Sequence, residues 1–194
     1  MKKENNKDYI WDLNLEPKLE LLEEDMKHYV EVCKEKLGFI PNVIKANATD
    51  SQRLKTFVNF YNRLMLDEGF LTKMEREMIA VVVSSINKCF YCLVAHGASL
   101  RKLSNDPILG EELVMNYRSS RISKKHKIML DFSAKLTEFP DKVKDSDRNK
   151  LRQENFSDEE ILEIAEVTGF FNMSNRIALA TDMRPNNEYH KMNR

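Results

Sequence analysis

The sequence is poor in residues that punctuate a chain, with only five glycines and five prolines among 194 residues. An all-β sandwich needs a turn signal every roughly 8–12 residues, so that class is excluded. No apolar run approaches the roughly 18 residues that cross a bilayer, which removes a membrane-spanning helix. Charge of one sign is also missing: 31 lysines and arginines balance 31 aspartates and glutamates. A nucleic-acid binder usually shows a basic field, and none is present. Three cysteines, an odd number, do not make a disulfide framework. They point to a reducing compartment, where a CxxC serves catalysis or metal binding. The opening "MKKENNKDYIWDLNLEP" has no apolar segment of the secretory kind, so a cytoplasmic location is expected. There is no GxGxxG, no phosphate-binding loop and no haem or flavin signature, so no bound cofactor is expected.

What is present is amphipathic: 42% of residues are hydrophobic and 32% charged. Apolar residues recur at spacings of three and four, the period of a helix face. Between Pro17 and Phe39 the stripe is Leu22, Met26, Tyr29, Val30, Cys33 and Leu37, closed by Gly38 and Pro41. Between Ser51 and Asp67 it is Leu54, Phe57, Val58, Tyr61, Leu64 and Met65. Thr72, with Glu75 three residues later, makes a capping-box pattern for a helix from Lys73. Further helices are predicted over Lys88–Leu103, Gly110–Arg118, Lys124–Phe139, Asp145–Asn155, Asp158–Phe171 and Asn172–Asp182. The chain therefore reads as all-α. It divides into an arm over residues 1–16, one domain over residues 17–184 and a tail over residues 185–194. The arm offers Ile10, Trp11, Leu13 and Leu15 for docking.

An internal echo appears at an offset of 85 residues. "LTKMEREMIAVVVSSIN" (Leu71–Asn87) lies over "FSDEEILEIAEVTGFFN" (Phe156–Asn172), with Ile79, Ala80, Val82 and Asn87 matching Ile164, Ala165, Val167 and Asn172. Cys89, Cys92 and His96 instead meet Ser174, Ile177 and Thr181. Shared residues maintain packing, so the unshared ones have another job.

That job centres on "NKCFYCLVAH" (Asn87–His96). Asn87 is read as the N-cap of a helix that begins near Lys88, which places Cys89 in the first turn. There the helix dipole and unpaired N–H groups favour a thiolate. Cys92 follows one turn later on the same edge. A bridge between the two sulfurs is feasible but tight, and a tight bridge is reducible. His96 lies four residues beyond Cys92 on that stripe, where an imidazole can accept a thiol proton. Glu77, in the preceding helix, shares a face with Met74, Met78 and Val81 and is expected to point inward, where a carboxylate can orient an imidazole. Glu75 is assigned to the cap. Two blander readings compete. Free cysteines pack like small hydrophobes in a core. Cys89, Cys92 and His96 could also bind zinc in a structural module, with His28, Cys33 or His126 as the fourth ligand.

The pattern E-x11-C-x2-C-x3-H, filled by Glu77, Cys89, Cys92 and His96, resembles the alkyl hydroperoxidase D-like branch of the carboxymuconolactone decarboxylase superfamily. "GFIPNV", "EREMIAVVVSSINKCFYCLVAH" and "FNMSNRIALATD" resemble its peroxidase-related enzymes, over roughly Leu37 to Arg184. The resemblance implies an all-α fold of duplicated helical units that forms homo-oligomers. Ile10, Trp11 and Phe70 lie outside the clearest stripes and are expected at subunit contacts. It further implies that Cys92 attacks a hydroperoxide, that Cys89 closes a disulfide, and that His96 with Glu77 moves the proton. Electrons then come from an external dithiol, either a thioredoxin-like or a lipoyl-bearing protein. Tyr91 stands where the best-known members carry a histidine. The decarboxylase branch lacks the CxxC, which disfavours a lactone decarboxylase.

Overall fold

A computed structural model describes residues 9–194; residues 1–8 of the arm lie outside the described residues. Among the described residues there is no strand, and the helices are α1 (Glu24–Leu37), α2 (Asn42–Asn47), α3 (Ser51–Met65), α4 (Lys73–Ile86), α5 (Phe90–Ser104), α6 (Leu109–Asn116), α7 (Lys124–Glu138), α8 (Asp145–Gln153) and α9 (Asp158–Ala180). The all-α reading holds. None of these helices is long and apolar enough to cross a membrane.

The central element is α4. Met78, Ile79, Ala80, Val81, Val82 and Val83 are all essentially inaccessible, as expected of a helix that is apolar all round. It packs against α5, α6, α7 and α9. Its valine run is a weak helix former, and the N-terminus is secured by the capping box read from the sequence. The Thr72 N–H donates to the Glu75 carboxylate at 2.8 Å, and the Glu75 N–H donates to the Thr72 hydroxyl at 3.2 Å. Burial pushes the Glu75 carboxyl up, but hydrogen bonds from His126 and from the Thr72 backbone and hydroxyl outweigh it and bring it down to about 2.

The echo has a spatial counterpart. α9 begins with an equivalent box, Ser157 with Glu160, and α4 packs against α9. The matched asparagines touch, with Asn87 Nδ2 donating to Asn172 Oδ1 at 3.1 Å.

Three sequence expectations need correction. Helices over Asp158–Phe171 and Asn172–Asp182 are one continuous α9. The helix runs through Asn172, whose side-chain Nδ2 donates to Thr168 O one turn back at 3.0 Å. α2 was not foreseen, because Pro41 reads as a stop for α1 and in fact also stands at the N-cap of α2. α1 starts only at Glu24; Leu19–Leu21 before it is a 3-10 turn.

The arm docks on its own chain. Trp11 is buried with Phe39, Met183 and Tyr189, and Ile10 packs beside them. Both were expected at subunit contacts; only Phe70 of that set remains exposed. Leu13 and Leu15 are exposed as well. Asp12 N–H donates to Thr181 O at 2.7 Å and Arg184 N–H to Ile10 O at 3.0 Å. Asn42, from "GFIPNV", fastens arm and tail together. Its amide nitrogen donates to Tyr9 O and Arg184 O, and its backbone N–H donates to Asn186 Oδ1.

Candidate active site

The turn between α4 and α5 builds the site. Asn87 is not the N-cap of α5 but the C-cap of α4. Lys88 follows in the left-handed region at φ 56°. Its N–H bonds to Ser85 O at 3.1 Å, and the Cys89 N–H bonds to Ser84 O at 2.9 Å. This pair of bonds is a Schellman closure, with lysine where glycine is usual. Cys89 is thus the last residue of one helix-ending motif and the N-cap of the next helix, which pins its backbone from both sides. At the same register the second half of the echo runs straight through Asn172, Met173 and Ser174 inside α9. The broken helix is what gives the first half an N-terminus on which to mount a thiol.

Cys89 and Cys92 are both free thiols and almost wholly buried, as are Glu77 and His96. The Cys92 thiol donates to the Cys89 sulfur. Together with the backbone N–H groups of Cys92 and Tyr91 and the nearby His96, this outweighs burial and lowers Cys89 to about 7. The same shared proton, burial and the adjacent charge push Cys92 well up, while donors from Asn175 and Ser174 pull the other way. Of the two sulfurs, Cys89 is the more readily ionised, at the helix N-terminus where negative charge is favoured.

His96 Nδ1 lies 2.7 Å from Glu77 Oε2, both side chains being buried. With the carboxylate accepting at Nδ1, the neutral ring keeps Nε2 as its open acceptor. The imidazole is also held edge-on against Phe171, 4.5 Å between centroids. Glu77, Cys89, Cys92 and His96, singled out by spacing, are thus brought together by α4 and α5. Glu75, two residues before Glu77 on α4, does not join them and is paired with His126 at 3.3 Å.

Tyr91, at the position of the absent histidine, is hydrogen-bonded to α2. Its hydroxyl oxygen accepts the Val43 N–H at 3.0 Å, tying α2 to α5. Burial pushes its phenol far above its usual value, so it keeps its proton and relays none near neutrality. Tyr91 lines a small cavity of about 50 Å³ with Trp11, Val43, Phe57, Ser174 and Met183. A larger hollow of about 400 Å³ lies beside α7, among Arg118, Asp131, Lys135 and Asp147, and contains none of these residues.

Sequence reasoning missed the polar residues that α9 brings to the dithiol. Asn175 is fully buried; its Nδ2 donates to Ser84 Oγ at 3.0 Å and its Oδ1 accepts from Asn87 Nδ2 at 3.0 Å. The signal was present in "FNMSNRIALATD", but nothing local says where that asparagine points.

Residues 52–108 match the carboxymuconolactone decarboxylase family. Over 96% of this chain and 97% of the other, the fold superposes on an uncharacterized peroxidase-related protein from Silicibacter sp. TM1040, with 53% identity and a TM-score of 0.92. An alkylhydroperoxidase AhpD core from Ralstonia eutropha JMP134, also described as an uncharacterized peroxidase-related protein, gives 38% identity over 96% and 97% with a TM-score of 0.91. The chain belongs to the AhpD/carboxymuconolactone decarboxylase superfamily. The debrominase Bmp8, seen with 2,3,4-tribromopyrrole, shares the AhpD-like fold at 15% identity over 95% and 97% with a TM-score of 0.79. No curated protein matches the sequence. One helical frame thus occurs in proteins described by different chemistries, so the site residues of each chain must carry the functional argument.

Proposed function

We propose that this chain is a thiol-dependent peroxidase that reduces hydroperoxides through Cys92 and Cys89. The observation that carries the reading is the buried Glu77–His96 pair, set one helical turn beyond a free, buried dithiol. A thiol held as high as Cys92 needs a base before it can attack, and an imidazole oriented by a carboxylate is such a base. Were Cys89, the more readily ionised thiol, the attacking sulfur, this pair would have no task.

His96 takes the Cys92 proton, and the sulfur attacks the terminal peroxide oxygen. The O–O bond breaks, the alkoxide leaves with a proton from the relay as an alcohol, and Cys92 becomes a sulfenic acid. The Cys89 thiolate then attacks the Cys92 sulfur. Hydroxide departs, takes a proton and leaves as water, and the disulfide closes. Two electrons from an external dithiol, of the thioredoxin-like or lipoyl-bearing kind, reopen it by exchange. The zinc-module reading draws no support from the geometry: among the described residues, no three histidine, cysteine or acidic side chains are grouped to hold an ion.

Hydroperoxide consumption with a panel of dithiols tests the proposal. Wild type should turn over, Cys92→Ser should be inactive, and Cys89→Ser should stop after one equivalent. Turnover that survives Cys92→Ser would remove the assignment.

A further inference from the structure

The turn that mounts Cys89 is gripped from outside by two side chains of α9, to which the function proposed above gives no task. From within, the turn is closed by two backbone bonds, Lys88 N–H to Ser85 O and Cys89 N–H to Ser84 O. Asn175 holds the same segment at two points. Its Nδ2 donates to Ser84 Oγ at 3.0 Å, and its Oδ1 accepts from Asn87 Nδ2 at 3.0 Å. Asn87 Nδ2 also donates to Asn172 Oδ1 at 3.1 Å. Asn172 is anchored in turn, donating to Thr137 Oγ1 on α7 at 3.0 Å, while Thr137 donates to Ser133 O at 2.8 Å. Ser84, Ser133 and Asn175 are fully buried. A satisfied polar network inside a core rigidifies the groups it joins. α9 runs unbroken from Asp158 to Ala180, so the half of the echo without thiols is the rail to which the broken half is fixed.

We propose that Asn175 is a positioning residue that fixes the Ser84–Cys89 turn against α9 and so keeps the Cys89 sulfur within bonding reach of Cys92. The proposal rests on the dithiol reading and deepens it. A disulfide tolerates little error, since its Cβ atoms must approach to about 3.5–4.5 Å. Two residues three apart within a helix hold their Cβ atoms about 5–6 Å apart, too far for that bridge. Cys89 stands outside the helix as its N-cap, with φ −83° and ψ 99°, which leaves the separation to the turn. The Cys89 backbone is bound on both sides. Its N–H is held by Ser84 O, and its carbonyl accepts the Leu93 N–H at 3.0 Å as α5 begins. The place of its Cβ therefore follows Ser84 and Asn87, and Asn175 holds both. The same grip serves closure of the disulfide after peroxide attack and the return of the thiols after reduction.

The test is the equilibrium of the Cys89–Cys92 pair with glutathione in the full-length chain, read by alkylation and mass spectrometry. One glutathione disulfide is reduced to two thiols for each protein disulfide that closes. At about pH 6 Cys89 is largely protonated, so the constant reports geometry rather than thiolate stability. Asn175→Ala should lower the closure constant by about tenfold, the effect of losing one buried hydrogen bond from the turn. Ser84→Ala removes only one point of the grip and should lower it about threefold. Alanine is a good helix former, so this second variant stays informative even if Asn175→Ala misfolds. Val167→Ala, also fully buried on α9, should lose stability in urea yet keep the parent constant. Parent-like constants in Asn175→Ala and Ser84→Ala would overturn the proposal. An equal fall in Val167→Ala would overturn it too, by reducing Asn175 to a general support of the fold, and so would a parent chain whose two thiols never close. No peroxide enters this measurement. The expected pattern in a chain that leaves hydroperoxide unconsumed would support the positioning role while defeating the peroxidase reading.

Discussion

Glu77→Gln should fold normally and lose about 10²–10⁴ in hydroperoxide turnover, the range for removing general acid–base help. Glutamine keeps the volume and can still accept from His96 Nδ1, so the buried packing survives while the charge that supports a protonated imidazole is lost. His96→Phe should show a similar loss, because an aromatic ring can retain the edge contact with Phe171. Glu75→Gln is the control two residues away. That carboxylate serves Thr72 and His126, so its loss should cost about 1 kcal/mol of stability and leave turnover unchanged. Steady-state rates together with urea melts separate the two outcomes. Equal activity in Glu75→Gln and Glu77→Gln would reduce the site to a bare dithiol.

The largest stability effect is expected at a place the chemistry does not use. Arg76 Nε lies 2.6 Å from Glu163 Oε1, with both side chains almost wholly buried. The contact is charge pairing, since Nε has no well-aligned hydrogen bond. The remaining valences go to the backbone: Arg76 Nη1 donates to Asp67 O at 2.8 Å, while Glu163 Oε2 accepts the N–H groups of Phe70 and Leu71 at 2.7 and 3.2 Å. The pair thereby holds the loop before α4 against α9. A side chain at Gly69 would collide with both partners. Removing one member strands a buried charge, so Arg76→Met or Glu163→Leu should each cost about 3–5 kcal/mol. The double variant should cost much less than the two losses added together, because no lone charge remains. Single losses below about 1 kcal/mol in denaturant melts would contradict this account.

These two sites mark what the sequence could and could not express. Helix periodicity placed most elements within a few residues, because each amphipathic stripe is written locally: Leu54, Val58 and Leu64 on α3, or Met78 and Val82 on α4. Glu77, Cys89, Cys92 and His96 were legible for the same reason, since i, i+3 and i+7 spacing on one helix, beside a second helix, already implies proximity. The exact mounting of Cys89 was not. Asn87 is a good cap residue for either helix end, and only the left-handed Lys88 decides that it closes α4. Contacts across the echo were beyond local reasoning as well. Glu163 reads as a solvated charge on α9, and Asn175 as an ordinary polar residue, until packing of α9 against α4 buries both. Trp11 misled in the opposite way. An apolar residue in a polar arm suggests an intermolecular contact, whereas the core formed by Phe39, Met183 and Tyr189 receives it within the chain.

The central claim is that Cys92 and Cys89 act as one two-electron unit. It is tested most directly by adding a stoichiometric amount of an alkyl hydroperoxide to the reduced protein, quenching with an alkylating reagent and mapping the thiols by mass spectrometry. The account predicts a Cys89–Cys92 disulfide, with Cys33 still alkylated. Closure should be faster as pH rises through about 7, because the charge on Cys89 that attacks the sulfenic acid is lost below that pH. Peroxide left unconsumed, with Cys89 and Cys92 both alkylated at every pH, would contradict it.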